Sequence, residues 1–205
     1  MVELMLSFCL ASFALAISPG PDNIFVLTQS ITNGSSYGIA TTAGLISGCI
    51  VHTTLVAFGI STILLASETV FIAIKIAGAA YLLYLAVQVY RAGNTLMITS
   101  KESSQKSHFQ LYKQGIIMNV LNPKVTLFFM AFFPAFLWDT TGNTVLQFYV
   151  LGAVFMAVSF IVFSMIALLS GQISMFIQKR KGSGMFFKWL QIIVFVSIAV
   201  FLFLP

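Results

Sequence analysis

Apolar residues run along this chain in six long stretches, at roughly residues 3–32, 38–66, 69–90, 112–138, 144–171 and 184–204. Each matches or exceeds the ~20 residues that an α-helix needs to cross the roughly 30 Å hydrocarbon slab of a bilayer. The connections are short except for Arg91 to Leu111, a stretch rich in Ser, Lys and Gln that divides the chain into two sets of three segments. The pattern predicts an all-α membrane protein of six transmembrane helices forming a single transmembrane domain over residues 1–205. Its halves would be 1–92 and 109–205, joined by a cytoplasmic linker at 93–108.

Two of the six stretches are interrupted. In the first, Ser18-Pro19-Gly20-Pro21-Asp22-Asn23 places two prolines and a carboxylate after about fourteen apolar residues, or roughly 21 Å of helix. Proline removes a backbone donor and clashes with the preceding turn, so the helix cannot pass undisturbed. Non-helical backbone at that depth survives only where protein or a watery cavity covers it. A half-helix starting after Pro21 presents free N–H groups and the positive end of its dipole, which suits a carboxylate. In the fourth stretch Asn122-Pro123-Lys124 repeats the device with the opposite charge, after eight residues of the apolar run. An ionisable side chain inside a membrane points to function, and its expected partner is the opposite charge, so Asp22 and Lys124 are expected to approach each other.

The halves resemble one another. Pro19 pairs with Pro123, Gly44 with Gly152, and Lys75 with Lys188, at offsets of about 104 to 113 residues. Three helices per half give the second half the opposite orientation, and inverted repeats broken at matching positions mark a transporter's binding site. Counted from the apolar boundaries, however, both breaks fall nearer the cytoplasmic face, whereas a strict two-fold would mirror their depths.

Composition agrees with a lipid solvent: 59% of the 205 residues are hydrophobic and 7% charged, against about 25% charged in soluble domains. The net charge of +5 does not point to nucleic acid. Lys101, Lys106 and Lys113 fall in one connection, and Lys179, Arg180 and Lys181 in another. Basic clusters flanking apolar spans mark the cytoplasmic side, where anionic lipid is their neighbour. Six spans then leave both termini outside; a re-entrant first segment would put the N-terminus inside. Ala14-Leu15-Ala16 resembles a signal-peptide cleavage site, but Glu3 is the only preceding charge and no basic region leads into it, so residues 1–27 are read as retained.

Other candidates carry less weight. Lys75 stands about six residues into the third segment and is as readily a snorkelling side chain as a binding group. His52, fourteen residues into the second segment, suits an interhelical hydrogen bond, with a proton relay as the alternative. Lys188 reads as interfacial. Gly44 and Gly48 allow close helix approach, inside the chain or in a homodimer. Phe128, Phe129, Phe132 and Phe133 face lipid or pack. Cys9 and Cys49 lie in apolar runs and read as buried, inert thiols. Five acids in the whole chain do not build a divalent-metal site in a membrane, and no cofactor or catalytic cluster is called for.

Pro19-Gly20-Pro21-Asp22-Asn23, Gly44 and Gly48 with His52, Lys75-Ile76-Ala77-Gly78-Ala79-Ala80-Tyr81-Leu82, and Asn119-Val120-Leu121-Asn122-Pro123-Lys124 before a Phe-rich run follow one another in this order. Together they resemble the LysE/RhtB amino-acid exporters over nearly the whole chain. The family tends toward Pro-Gln-Phe after the Phe-rich run, where this chain has Pro134-Ala135-Phe136, which removes any polar role at that position. The resemblance implies a multi-pass protein of the bacterial cytoplasmic (inner) membrane. It would export amino acids or close derivatives and be driven by proton antiport. In such a protein the half-helix ends with Lys124 or Lys75 would hold a substrate carboxylate, and Asp22 the ammonium or the coupled proton. Pro19, Gly20, Pro21, Asn23, Asn122, Pro123 and His52 complete the expected site.

Rival readings are a thiol-disulfide electron carrier, a small-ion transporter and a membrane enzyme. The first needs a cysteine beside each proline break, yet Cys9 lies ten residues before Pro19 and none stands near Pro123. The second meets the shortage of acids. The third meets a polar stretch, Ser100 to Gln110, whose only reactive groups are Glu102 and His108.

Overall fold

The computed structural model describes residues 2–60, 68–91, 106–139, 142–179 and 183–203, all of its regular structure helical. The expected linker at 93–108 falls almost wholly outside the described residues, as do Lys101, Glu102, Arg180 and Lys181. The elements are α1 (Val2–Ile17), α2 (Pro21–Asn33), α3 (Ser35–Leu55) with a π-helical end (Val56–Ile60), α4 (Glu68–Arg91) and α5 (His108–Val120). They continue with α6 (Pro123–Phe132), its 3-10 extension (Phe133–Phe136), α7 (Thr144–Leu168), α8 (Ser170–Lys179) and α9 (Ser183–Phe201).

Four helices are long and apolar enough to cross a membrane alone, and two bent pairs raise the number to six if each pair is one span. The pairs are the two that the prolines break. α1 and α2 meet at 59°, α5 and α6 at 52°. Pro21 and Pro123 each open the second helix of a pair at a position where the missing N–H costs no intrahelical bond. The chain is a multi-pass membrane protein.

Two boundaries depart from the apolar pattern. α5 begins at His108, four residues before its apolar run, because Ser107 and Gln110 form a reciprocal capping box at its start. Thirteen helical residues therefore precede the second break, more than the eight counted from the apolar run. α7 ends at Leu168 instead of continuing to 171, and α8 follows as a separate ten-residue helix.

α3 packs closely along α5, with Ser35 and His108 at the same end, as the stack of Tyr37 on His108 shows. The contact is backbone to backbone. A Cβ on Gly44 would lie 2.0 Å from the Tyr112 carbonyl oxygen, and one on Gly115 would lie 2.5 Å from that of Thr41. The face bearing Gly44 and Gly48 is thus covered within the chain by Tyr112 and Asn119, so it offers no free surface to a second copy.

If the halves are exchanged, the α3–α5 contact corresponds to α7–α1, and the α3–α7 and α4–α9 contacts map onto themselves. All four are present. The correspondence is incomplete, since α4 packs on α6 while α9 makes no comparable contact with α2 among the described residues. Gly152, the letter match of Gly44, faces Thr53 of α3 instead of α1.

The Phe-rich run packs inward. Phe128, Phe129, Phe132, Phe133 and Phe136 are all buried, and Phe8 of α1 and Phe155 of α7 join them at ring separations of 5.0 to 6.4 Å. Lipid is as apolar as these rings, so what holds α6 in place is close packing and edge-to-face geometry more than exclusion from water. Cys49 is buried as expected, whereas Cys9 is half-buried, because α1 presents Leu6, Leu10 and Phe13 outward.

Candidate functional site

The two breaks meet. Asn122 is the hinge of the second: its Oδ1 accepts from the Lys124 backbone N–H at 3.0 Å, capping α6, while its Nδ2 donates to Asp22 Oδ2 at 2.8 Å. One amide thus ends one half-helix and holds the carboxylate in the first turn of another, 100 residues away in the chain. Asp22 is 6% exposed. A buried carboxylate is tolerated only with such partners, and the N-terminus of α2 adds the favourable end of its dipole.

The first break is satisfied in the same way. Asn23 Nδ2 donates to the Ala16 carbonyl at 2.7 Å, and Lys124 Nζ donates to the carbonyls of Ser18 at 3.1 Å and Leu15 at 3.4 Å. These are carbonyls that the end of α1 leaves without intrahelical donors, and in lipid each would cost several kcal/mol if left bare. The ring of Phe195, from α9, lies 5.3 Å from the same ammonium. Asp22 and Lys124 sense each other electrostatically, yet no direct ion pair joins them. The expected pairing of opposite charges is replaced by one amide and two main-chain carbonyls.

A small cavity of about 30 Å³ lies at this junction, with Asp22, Asn23, Cys49, Asn119, Lys124 and Ser159 among its walls. Asn119 Oδ1 and Ser159 Oγ are buried there without a hydrogen-bond partner. An apolar groove of about 310 Å³ along α1, α2, α7 and α8 shares Asn23 with it, but its lining is almost wholly alkyl and aromatic. The charged side chains of the junction, Asp22 and Lys124, line the small cavity and not the groove.

Pro19, Gly20, Pro21, Asp22, Asn23, Asn122, Pro123 and Lys124 are brought together. His52 adjoins them without lining the cavity: its Nε2 lies 3.0 Å from the Asn119 carbonyl, which can only accept, so Nε2 carries a proton. Lys75 stands apart, its ammonium 5.8 and 5.9 Å from the rings of Phe71 and Phe203. Asn119, Ser159 and Phe195 were not among the expected site residues. Ser159 had a signal, as the first hydroxyl after the apolar run 150–158, and Asn119 had one in its spacing of three from Asn122. Phe195 had none in a chain with 21 phenylalanines.

The His52 bond ties α3 to the last turn of α5. His52→Ala is expected to lower stability by about 1–2 kcal/mol, the usual cost of leaving a buried group one partner short. His52→Gln, which keeps a donor, should recover part of it in thermal melts and leave the pH profile of transport unchanged. A flattened profile in His52→Gln would instead assign His52 to a proton relay.

Comparison with known proteins agrees with this architecture. The LysE type translocator family matches residues 13–204. A homoserine/homoserine lactone efflux protein of Salmonella typhimurium is 33% identical over 179 residues, covering 87% of this chain and 86% of that protein. Its counterpart in Salmonella typhi is 34% identical with the same coverage. An uncharacterized membrane protein of Vibrio cholerae is 30% identical, covering 86% of this chain and 85% of its own. No solved structure matches.

Proposed function

We propose, from the premise that the chain belongs to the LysE type translocator family, that it exports a small homoserine-like amino-acid derivative from a bacterial cytoplasm in exchange for protons. Members of this family are transporters, not enzymes. The observation that carries the reading is the meeting of the two broken helices through Asp22 and Asn122. A zwitterion needs a cation-attracting and an anion-attracting group side by side. The carbonyl end of α1 with Asp22 provides the first, and the N-termini of α2 and α6 provide the second.

The named substrates of the Salmonella relatives narrow the recognised group. Homoserine carries a carboxylate and its lactone does not, while both retain a primary ammonium. Asp22 is then the coupling group, alternating between the anion held by Asn122 and a protonated form. The halves 1–92 and 109–205 act as repeats that rock about this junction. The inner membrane is the compartment that fits a proton-driven exporter with basic residues such as Lys106 and Lys179 flanking its apolar segments.

Amino-acid profiling of the medium tests the class and the substrate together. Overexpressing cells should accumulate homoserine or a related amine outside, and deletion cells should retain it. Identical media from both strains under substrate load would refute export.

A further inference from the structure

Lys124 carries the least expected geometry in the site. Its ammonium makes no ion pair with the carboxylate it was expected to join and sits instead in a cradle of main-chain oxygens at 3.1 and 3.4 Å. The face of that cradle is completed by the Phe195 ring at 5.3 Å and by Gly20, where a Cβ would come within 3.5 Å of the nitrogen. Asp22 adds its field from the neighbouring turn. Carbonyls at a helix C-terminus, an aromatic ring and a nearby carboxylate attract any primary ammonium. Nothing in this set recognises the rest of a lysine side chain.

We infer that the cradle formed by Leu15, Ser18 and Phe195 beside Asp22 is the binding site for the substrate's ammonium group, and that Lys124 occupies it as a tethered stand-in which the incoming amine displaces. This deepens the export reading and rests on it for the identity of the natural ligand. An intramolecular competitor of this kind lowers the apparent affinity by the fraction of time it fills the site.

A second observation points to the same ligand. Asn119 and Ser159 are 3% and 2% exposed, both residues line the cavity beside Lys124, and Asn119 Oδ1 and Ser159 Oγ have no hydrogen-bond partner. Buried polar atoms are almost always paired, and these two share one cavity. At about 30 Å³ it has room for a water or two, not for a compound of about eight non-hydrogen atoms. Withdrawal of the Lys124 head enlarges the cavity where the ammonium goes. It also leaves Asn119 Oδ1 and Ser159 Oγ to meet the polar far end of the substrate. A lysine serving only to pin the two breaks together would account for the carbonyl contacts but not for these two oxygens.

The test uses the purified full-length chain in detergent. Lys124→Ala keeps the β-carbon, and propylammonium replaces the atoms removed beyond it. Propylammonium should raise the melting temperature of Lys124→Ala in a concentration-dependent way and leave the wild type unmoved, while 1-propanol, of the same size and uncharged, should do neither. Homoserine should bind Lys124→Ala about tenfold more tightly than wild type, the competitor being gone. Equal effects of propylammonium and 1-propanol would overturn the cradle. So would a tenfold weakening of homoserine binding, which would place Lys124 on the substrate's carboxylate. Should Lys124→Ala not fold, Lys124→Met keeps the length of the stem and lacks only the Nζ, and is probed with ammonium chloride against sodium chloride, with the same two readings. Ammonium rescue without homoserine export in cells would refute the export reading alone, and export without rescue would refute the cradle alone.

Discussion

Asp22→Asn is expected to lower pH-gradient-driven transport about a hundredfold while leaving the protein folded and able to exchange substrate across a membrane at equal pH. The amide occupies nearly the same volume as the carboxylate, and its oxygen can still accept from Asn122 Nδ2, so the junction of the breaks, now 2.8 Å across, is retained. What is lost is the charge. A hydrogen bond to an ionised group is worth about 1.5–3 kcal/mol, which corresponds to one to two orders of magnitude in rate or affinity. The asparagine also cannot carry a proton outward to inward, so net uphill movement loses its coupling. Wild-type export into an acidic exterior should slow as the exterior is made alkaline, because fewer protons are offered to Asp22, and the Asn variant should show no such slope. Proteoliposomes with an imposed pH gradient measure both quantities. An Asp22→Asn protein with wild-type rate and wild-type pH slope would remove Asp22 from the coupling step.

The breaks were legible because proline lacks a donor and because lipid leaves backbone nowhere to hide. The length of α5 before its break was not, since an apolar window starts α5 at residue 112 and overlooks the polar first turn that the Ser107–Gln110 box adds. That turn brings α5 to thirteen residues before the break. The partners of Lys124 were beyond sequence reasoning for a simpler reason. Its acceptors are main-chain carbonyls, which every residue has, so no letter marks Leu15 or Ser18 as the place where an ammonium sits. Side-chain chemistry suggested Asp22 instead, and the nearest letter match was the wrong kind of atom. Lys75 shows the converse: a charge in an apolar run attracts attention, yet the fold puts it among Phe71 and Phe203, away from the cavity. Asn122 lay between these cases. Its place before a proline marks it as a cap, but its second bond, to Asp22, depends on a fold that joins positions 100 residues apart.

The contact that brings α5 to that meeting point has its own requirement. Gly44→Ala and Gly115→Ala should each cost about 3 kcal/mol or more, at the upper end for overpacked interiors. A Cβ at Gly44 would stand 2.0 Å from the Tyr112 oxygen and 2.8 Å from its carbonyl carbon; at Gly115 the neighbours are Thr41 O at 2.5 Å and Leu45 N at 2.8 Å. All four atoms are backbone, so no rotamer change relieves the overlap and the helices must part. In lipid no hydrophobic gain compensates for the lost packing. Parting α3 from α5 also stretches the His52–Asn119 bond, now 3.0 Å, and the Tyr112–Ser47 bond, now 3.1 Å, and so shifts the second break. Gly48 makes the informative contrast. Its nearest neighbours are Asn119 side-chain atoms: Oδ1 and Cγ at 2.8 and 3.1 Å can rotate away, but Cβ at 2.8 Å is fixed by its backbone, so Gly48→Ala should melt between Gly44→Ala and wild type and reorient the Asn119 amide, which weakens substrate binding. Gly171, with nothing within 4 Å of an added Cβ, is the neutral control. Thermal melts in detergent rank the four. If Gly44→Ala melts with Gly171→Ala, the close α3–α5 approach is not what holds the second break in register with the first.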